Sequence, residues 1–295
     1  MERRKASDFP QELLGLFDRY VHGEIGRRDF LDGAQKFAVG GITAAGLFQM
    51  LKPNYAWAIQ VPADDKRIKA DYDVVPSPQG NGSIKGYLAR PANSAKLPCV
   101  LVIHENRGLN PYIEDVARRV ATEGFLALAP DGLFPVGGYP GNDDDGRTLQ
   151  AGLDQGKLRT DMVNSARYLQ SNARSNGKLG VTGFCWGGST TNFLAVTLGA
   201  DLKAAVPFYG AAPETAAVSA IKAALLIQYA ENDPNIDAMW PAFEAALKAN
   251  GVRYEMYTYP GTQHGFHNNS TPRYQEAAAK LAWERTIAFF KKHVA

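Results

Sequence analysis

The sequence predicts an α/β fold: a mostly parallel, doubly wound sheet preceded by an N-terminal helical extension. Three observations carry this. From Lys69 onward, short apolar runs alternate with segments of helical periodicity, the pattern of a sheet wrapped on both faces. One run, Cys99-Val100-Leu101-Val102-Ile103, is apolar throughout, as suits a strand covered on both sides. Another strand runs into Gly183-Phe184-Cys185-Trp186-Gly187-Gly188, a glycine-framed strand-to-helix turn with cysteine at its apex.

Size and composition narrow the function classes. The chain has 295 residues, 45% hydrophobic and 21% charged, ordinary values for a globular protein. A net charge of +2 gives no reason to expect nucleic acid. No stretch is long and apolar enough to span a bilayer, so no membrane span is expected. Of the two cysteines, Cys99 falls inside a central strand and reads as structural, while Cys185 stands on the turn. That placement argues against a disulfide, and a working thiol favours a reducing compartment.

Residues 1–58 differ from the rest. Asp8-Phe9-Pro10-Gln11 reads as a helix start with Asp8 as cap, followed by Leu13, Phe17, Tyr20 and Val21 at helical spacing and by Glu12, Asp18 and Arg19 turned away. Arg27-Arg28-Asp29-Phe30-Leu31, the mild apolar run Phe37 to Leu51, Lys52 and Ala56-Trp57-Ala58 together resemble a twin-arginine export signal. The other reading is a pair of helices packed on the domain or on a partner subunit, with a homo-oligomer possible through them. The first reading implies a periplasmic location and the second a cytoplasmic one.

Residues 59–295 read as the catalytic domain. Ala70 to Val75 and Ser83 to Arg90 form a hairpin about a Pro/Gly/Asn turn, and Pro91 to Pro98 leads to the central strand. Asn110-Pro111 opens a helix that runs to about Glu123, and Phe125 to Ala129 is a strand. Pro130 to about Asp154 reads as a long irregular loop lying over the site. Then follow a helix Lys157 to Ala173, the strand Lys178 to Thr182 with its elbow and helix, and strands at Ala204–Phe208 and Ala223–Tyr229. A helix Ala238–Asn250, the strand Val252–Tyr259 and a last helix Arg273–His293 complete the chain.

In such sheets ligands bind beyond the carboxyl ends of the strands. Glu105, Cys185, Asp233 and His264 all fall there, and the last three stand in the order nucleophile, acid, histidine, as in the α/β-hydrolase triad. Cys185 is the candidate nucleophile. His264 would take and return the proton, and Asp233 would hold the imidazole tautomer. The backbone N–H groups of Trp186 and Asn106 are candidates to meet an oxyanion. Taken singly, each has a plain alternative: Asp233 before Pro234 as a turn cap, His264 as a loop histidine, Glu105 as a partner of Arg107 or Arg118. Of the five histidines, only His264 combines a strand end with a following glycine; His267 and His104 compete weakly. Neither metal-ligand spacing nor a dinucleotide loop is found, so no metal or cofactor is expected.

From about residue 67 to its end the chain resembles the dienelactone hydrolase family (carboxymethylenebutenolidases), on His104-Glu105-Asn106-Arg107-Gly108, the Cys185 elbow, Pro207-Phe208-Tyr209-Gly210, Glu231-Asn232-Asp233-Pro234, Gly261-Thr262-Gln263-His264-Gly265-Phe266 and Glu284-Arg285-Thr286. The resemblance implies a cofactor-free hydrolase of small esters or lactones acting through a Cys-His-Asp triad and a thioester. It also implies that Glu105 bonds the resting thiol until substrate displaces it. The family's dienelactone enzymes carry an arginine four residues after the catalytic histidine, for the substrate carboxylate; here that residue is Asn268, and Arg273 lies further on. Arg107, Phe134, Tyr139, Tyr209 and Asn268 are the substrate-binding candidates, with Trp186 and Trp240 as further pocket residues. A thioesterase or a promiscuous carboxylesterase is the alternative enzyme. A redox-responsive thiol protein without turnover is the alternative from another class, and it leaves Asp233 and His264 without a role.

Overall fold

The computed structural model describes residues 4–93 and 96–295. The first three residues of the N-terminal extension, and two residues of the link expected between Pro91 and Pro98, lie outside the described residues.

The extension is helical. A 3-10 turn, Ala6–Asp8, is followed by Phe9 and Pro10 in extended or polyproline-like geometry, and helix α1 spans Gln11–Val21. Asp8 is therefore not the cap of α1. Its carboxylate turns back to accept the Lys5 N–H at 2.9 Å, and Pro10 stands at the cap position. Helix α2 is Arg27–Ala34 and helix α3 is Ala44–Leu51, the latter capped by Thr43, whose hydroxyl accepts the Gly46 N–H at 3.0 Å. The paired arginines thus open a folded helix in which Phe30 is fully buried. Leu13, Phe17, Tyr20, Phe30, Phe48 and Leu51 meet in a cluster of their own. Ala58 and Val61 join the core beneath the sheet.

Strands β1 (Ile68–Ser77) and β2 (Gly82–Pro91) pair as the expected hairpin. Strand β3 (Leu97–Ile103) leads to helix α4 (Pro111–Thr122), whose cap Asn110 accepts the Ile113 N–H at 3.2 Å. Strand β4 is Leu126–Asp131. The stretch expected to be an irregular loop contains helix α5, Asp143–Ala151. Its start was legible in the sequence: Asn142 caps it through the Asp145 N–H at 2.9 Å, and three aspartates fill the first turn, where the helix dipole favours them. Helix α6 is Gln155–Ser171, strand β5 Ser175–Phe184, helix α7 Trp186–Leu198 and strand β6 Leu202–Phe208. After strand β7 (Ala224–Asn232) the single helix expected from 238 to 250 is two, α8 (Pro234–Asp237) and α9 (Trp240–Ala249), each with proline in its first turn. Strand β8 (Tyr254–Gln263) and helix α10 (Glu276–His293) end the fold.

Among the described residues the eight strands form one sheet in the order β1-β2-β4-β3-β5-β6-β7-β8. The β1–β2 and β2–β4 pairs are antiparallel, and every pair from β4–β3 to β7–β8 is parallel. The apolar run of β3 serves both faces. Val100 and Val102 pack with α4 and α10, while Cys99, Leu101 and Ile103 pack with α6 and α7. Each such side chain, fully buried, contributes about 1.5–3 kcal/mol of transfer free energy. The parallel strands all deliver their carboxyl ends to one edge, and the extension covers that edge: Gln11 pairs with Gln263, Tyr20 with Asp144, and Asn106 with the Val21 carbonyl. No helix among the described residues is long and apolar enough to cross a membrane.

Candidate active site

Cys185 joins β5 to α7 at φ 58°, ψ −115°, a strained backbone for a residue with a Cβ. The glycines around it are required by contact. A Cβ at Gly183 would lie 2.2 Å from the Gly187 oxygen, and one at Gly187 would lie 2.4 Å from the Ile103 oxygen. The turn therefore wedges between β3 and β6 and lifts the sulfur over the sheet edge, where it is 8% exposed.

His264 follows β8. Its Nδ1 donates to Asp233 Oδ2 at 2.6 Å, from the end of β7, and both side chains are buried. His264 also packs on the Tyr209 ring at 4.9 Å. Tyr209 itself has φ 37°, a second strained residue beside the elbow. Glu105, at the end of β3, is 2% exposed. The ends of β3, β5, β7 and β8 bring Glu105, Cys185, Asp233 and His264 to one edge.

Two details differ from expectation. Glu105 is turned to Asn268, whose Nδ2 donates to Oε2 at 2.9 Å, and to Arg107, whose Nε is 3.9 Å away; Arg118 instead pairs with Asp115. The thiol is met by His22, with Nε2 3.5 Å from Sγ, as well as by His264. His22 comes from the end of α1 and is not among the residues the sequence singles out. Its one signal is an aspartate four residues earlier on the same helical face, and Asp18, expected to point away, holds His22 and Arg273. Arg273 does reach the site: its Nη1 lies 2.8 Å from Asp18 Oδ1, and its guanidinium lies over Gly265.

The electrostatics favour an ion pair. Burial pushes the Cys185 thiol up, but His264 and His22 outweigh it and hold its pKa well below the ordinary thiol value. Burial pulls His264 down, and the thiolate and Asp233 outweigh it, leaving it well above the usual imidazole value. His22, against burial and the repulsion of His264, is raised to about 9 by Cys185 and Asp18. These shifts do not apply to both rings at once, because the two Nε2 atoms are 3.2 Å apart and one proton fills that contact. Burial raises Glu105, with Arg107 opposing.

The other candidates separate. Arg107 and Tyr139 line a cavity of about 140 Å³ with Phe17, Tyr20, Tyr55 and Arg273, and both bond Asp143, at 2.8 and 2.9 Å. Phe134 lines a different depression near Tyr72 and Pro111. Trp240, half-buried, packs among Tyr229, Phe243 and Tyr254 against the core. Trp186 stacks on His104 at 5.3 Å, and His104 Nε2 accepts the Gly132 N–H, so His104 supports the elbow from behind. His267 is bonded to the Tyr112 hydroxyl in the core.

Comparison with known proteins bears on the family and the fold. The family model described as "Dienelactone hydrolase family" matches residues 84–294, and one described as "YqhI-like" matches residues 1–39. An Escherichia coli K12 protein named "Putative hydrolase fragment YghX" is 63% identical over 114 residues, 38% of this chain and 97% of its own length. A Salmonella typhi protein named "Putative carboxymethylenebutenolidase" is 33% identical over 245 residues, covering 78% of this chain and 89% of its own. A crystal structure titled as a "Putative Dienelactone Hydrolase" from Klebsiella pneumoniae superposes with a TM-score of 0.66 at 28% identity, over 76% of this chain and 99% of that one. With its sheet order, its elbow and a family match spanning most of its length, the chain belongs to the dienelactone hydrolase family and has the α/β-hydrolase fold.

Proposed function

We propose that this family member cleaves small esters or lactones by covalent catalysis on Cys185. The observation that carries the reading is the Cys185 elbow beside a His264 ring anchored to Asp233 at 2.6 Å. The Cys185 thiolate attacks the acyl carbon. The S–C bond forms, and the carbonyl π pair moves to oxygen, where the N–H groups of Trp186 and Asn106 receive it. Trp186 is the first residue of α7, so its N–H has no partner within the helix. Collapse breaks the bond to the leaving oxygen as the imidazolium of His264 gives up its proton. Water then attacks the thioester, its proton passes to His264, and the thiolate leaves. Asp233 keeps Nδ1 protonated throughout, so that Nε2 does the proton work.

The name of the Salmonella relative is that of a butenolide hydrolase, which supports esters and lactones as the substrate class. Glu105, held by Asn268 and Arg107, lies close enough to the thiol to oppose its ionisation, and in this reading it tunes the nucleophile. The test is hydrolysis of a short-chain aryl ester with acid trapping and mass spectrometry. Turnover with an acyl adduct on the Cys185 peptide, absent in Cys185→Ala, supports covalent catalysis; turnover that survives Cys185→Ala refutes it.

A further inference from the structure

Helix α1 brings a second Asp–His pair into the site, and its geometry parallels the first. His22 Nδ1 faces the Asp18 carbonyl oxygen at 2.9 Å and Asp18 Oδ2 at 3.2 Å, while His264 Nδ1 faces Asp233 Oδ2 at 2.6 Å. With only acceptors opposite it, each Nδ1 bears the hydrogen. Each neutral ring therefore turns its Nε2 lone pair toward the other, at 3.2 Å, and Cys185 Sγ stands 3.5 Å from that of His22. All three donor atoms lie within 4.8 Å of one another. Converging lone pairs repel unless a cation lies between them. A proton bridges a single edge of this triangle, whereas a metal ion serves all three corners.

We propose that His22, Cys185 and His264 form a binding site for one zinc-class transition-metal ion. The spacing fits. Tetrahedral zinc with ordinary Zn–N and Zn–S bonds places two nitrogens about 3.3 Å apart and nitrogen and sulfur about 3.6 Å apart. Two observed edges, 3.2 and 3.5 Å, are close to these, and the third, between Cys185 Sγ and His264 Nε2, lies within 4.8 Å. The outer partners fit as well, since metal-binding imidazoles are generally oriented by a carboxylate or carbonyl on the other nitrogen, the part that Asp18 and Asp233 take here. Two imidazole nitrogens and a thiolate sulfur suit a borderline ion of the zinc type and not calcium or magnesium, which prefer oxygen. The fourth vertex is left for water or a small anion. The His22 side chain is 26% exposed, which opens a route for an ion from solvent.

Ligand positions 22, 185 and 264 share no local spacing, so no sequence motif marks the site. Binding releases the one proton of the thiolate–imidazolium pair to solvent and leaves the ion on Sγ and both Nε2 atoms. The loaded chain then has neither a free thiolate nor a free base, and ester turnover stops. That consequence rests on Cys185 being the nucleophile; the binding itself rests on the donors alone.

The test titrates Co²⁺, then Zn²⁺, into the chelator-stripped full-length chain. One equivalent of Co²⁺ is expected to give a thiolate-to-cobalt charge-transfer band with the visible absorption of four-coordinate cobalt, and one equivalent of Zn²⁺ to abolish both. Cys185→Ser is expected to remove the charge-transfer band. His22→Ala should weaken binding at least tenfold, and Asp18→Asn, which leaves every ligand and the Asp18 carbonyl on His22 Nδ1 in place, should weaken it less than His22→Ala does. Circular dichroism verifies the fold of each variant. Absence of a stoichiometric cobalt complex, or affinity insensitive to both His22→Ala and Cys185→Ser, overturns the site. Aryl-ester turnover is followed in parallel with chelator and with one equivalent of Zn²⁺. Binding that leaves turnover unchanged keeps the site and removes Cys185 as nucleophile, whereas turnover in chelator without metal binding keeps the hydrolase and removes the site.

Discussion

Asn268 Nδ2 donates to Glu105 Oε2 at 2.9 Å, across 163 residues of chain and in a place closed to solvent. The amide is itself fixed, because its Oδ1 accepts from the N–H of Ser270 at 3.0 Å and from its hydroxyl at 2.6 Å. Where the family resemblance implies an arginine for substrate, Asn268 here orients the Glu105 carboxylate. Asn268→Ala leaves a buried carboxylate with one donor fewer, and the expected loss is about 1–3 kcal/mol of folding free energy. Urea unfolding measures it; an unchanged midpoint and slope would mean that Glu105 gains nothing from the amide.

Asp233→Asn is expected to keep the fold and slow acyl transfer by about 10⁴-fold, because the amide no longer fixes the proton on His264 Nδ1. Single-turnover kinetics with an activated aryl ester separate this from any change in binding. Wild-type rates in the variant would place the proton relay elsewhere, with His22 and Asp18 the pair to examine next.

The extension is held by an aromatic cluster in which the Phe48 ring lies 5.2 Å from Tyr20 and 5.3 Å from Phe30. Phe48 is fully buried there. Phe48→Ala removes most of one wall, and the expected cost is about 3–5 kcal/mol. Because this cluster is separate from the two that flank the sheet, the loss falls on the extension first. Hydrogen exchange by mass spectrometry checks it: faster exchange in peptides from residues 11–51, with β3 and β5 protected as in wild type, is the expected pattern. Uniform loosening of the whole chain would show that extension and sheet unfold as one unit.

What is legible in the sequence follows from which forces act locally. Strands such as β3 carry their own burial pattern, and the elbow carries its own glycines, so both the fold and the strand-end positions of Glu105, Cys185, Asp233 and His264 are readable. The contents of the site are less so. Asn268 and Arg273 follow His264 closely in sequence, yet their partners, Glu105 and Asp18, depend on how the loop after β8 closes over the sheet edge. His22 lies further out of reach, because nothing in a helix-end histidine tells which part of the molecule that helix will cover. Helix α5 is a different case: Asn142 and the three aspartates are a readable start, masked by the Gly and Pro that dominate the residues before them.

Two buried histidines set the acid limit of stability. His104 accepts the Gly132 N–H on Nε2 at 3.0 Å, and its Nδ1 faces the Glu105 carbonyl, so protonating Nε2 breaks a buried hydrogen bond. His267 lies among Phe184, Phe208 and Trp283, with Tyr112 as its hydrogen-bond partner. Burial drives both pKa values below the usual imidazole value, and Arg119 adds to the effect at His267. Above pH ~6.5 these rings are neutral in the folded and unfolded chains alike and contribute no slope. As pH falls below that value the unfolded chain takes up protons that the folded one refuses. Stability then drops, with a slope approaching about 1.4 kcal/mol per pH unit for each ring. His22 and His264 shift the other way: their contribution grows as pH falls through ~6.5 and levels off once the unfolded rings are also protonated, so it opposes the loss near pH 7 and adds little slope below pH ~6. Urea unfolding from pH ~6 down to ~5 is therefore expected to show steadily falling stability, and His267→Gln is expected to remove close to half of the slope there. A wild-type profile that stays flat to pH 5 would mean that at least one of the rings is already charged in the folded chain.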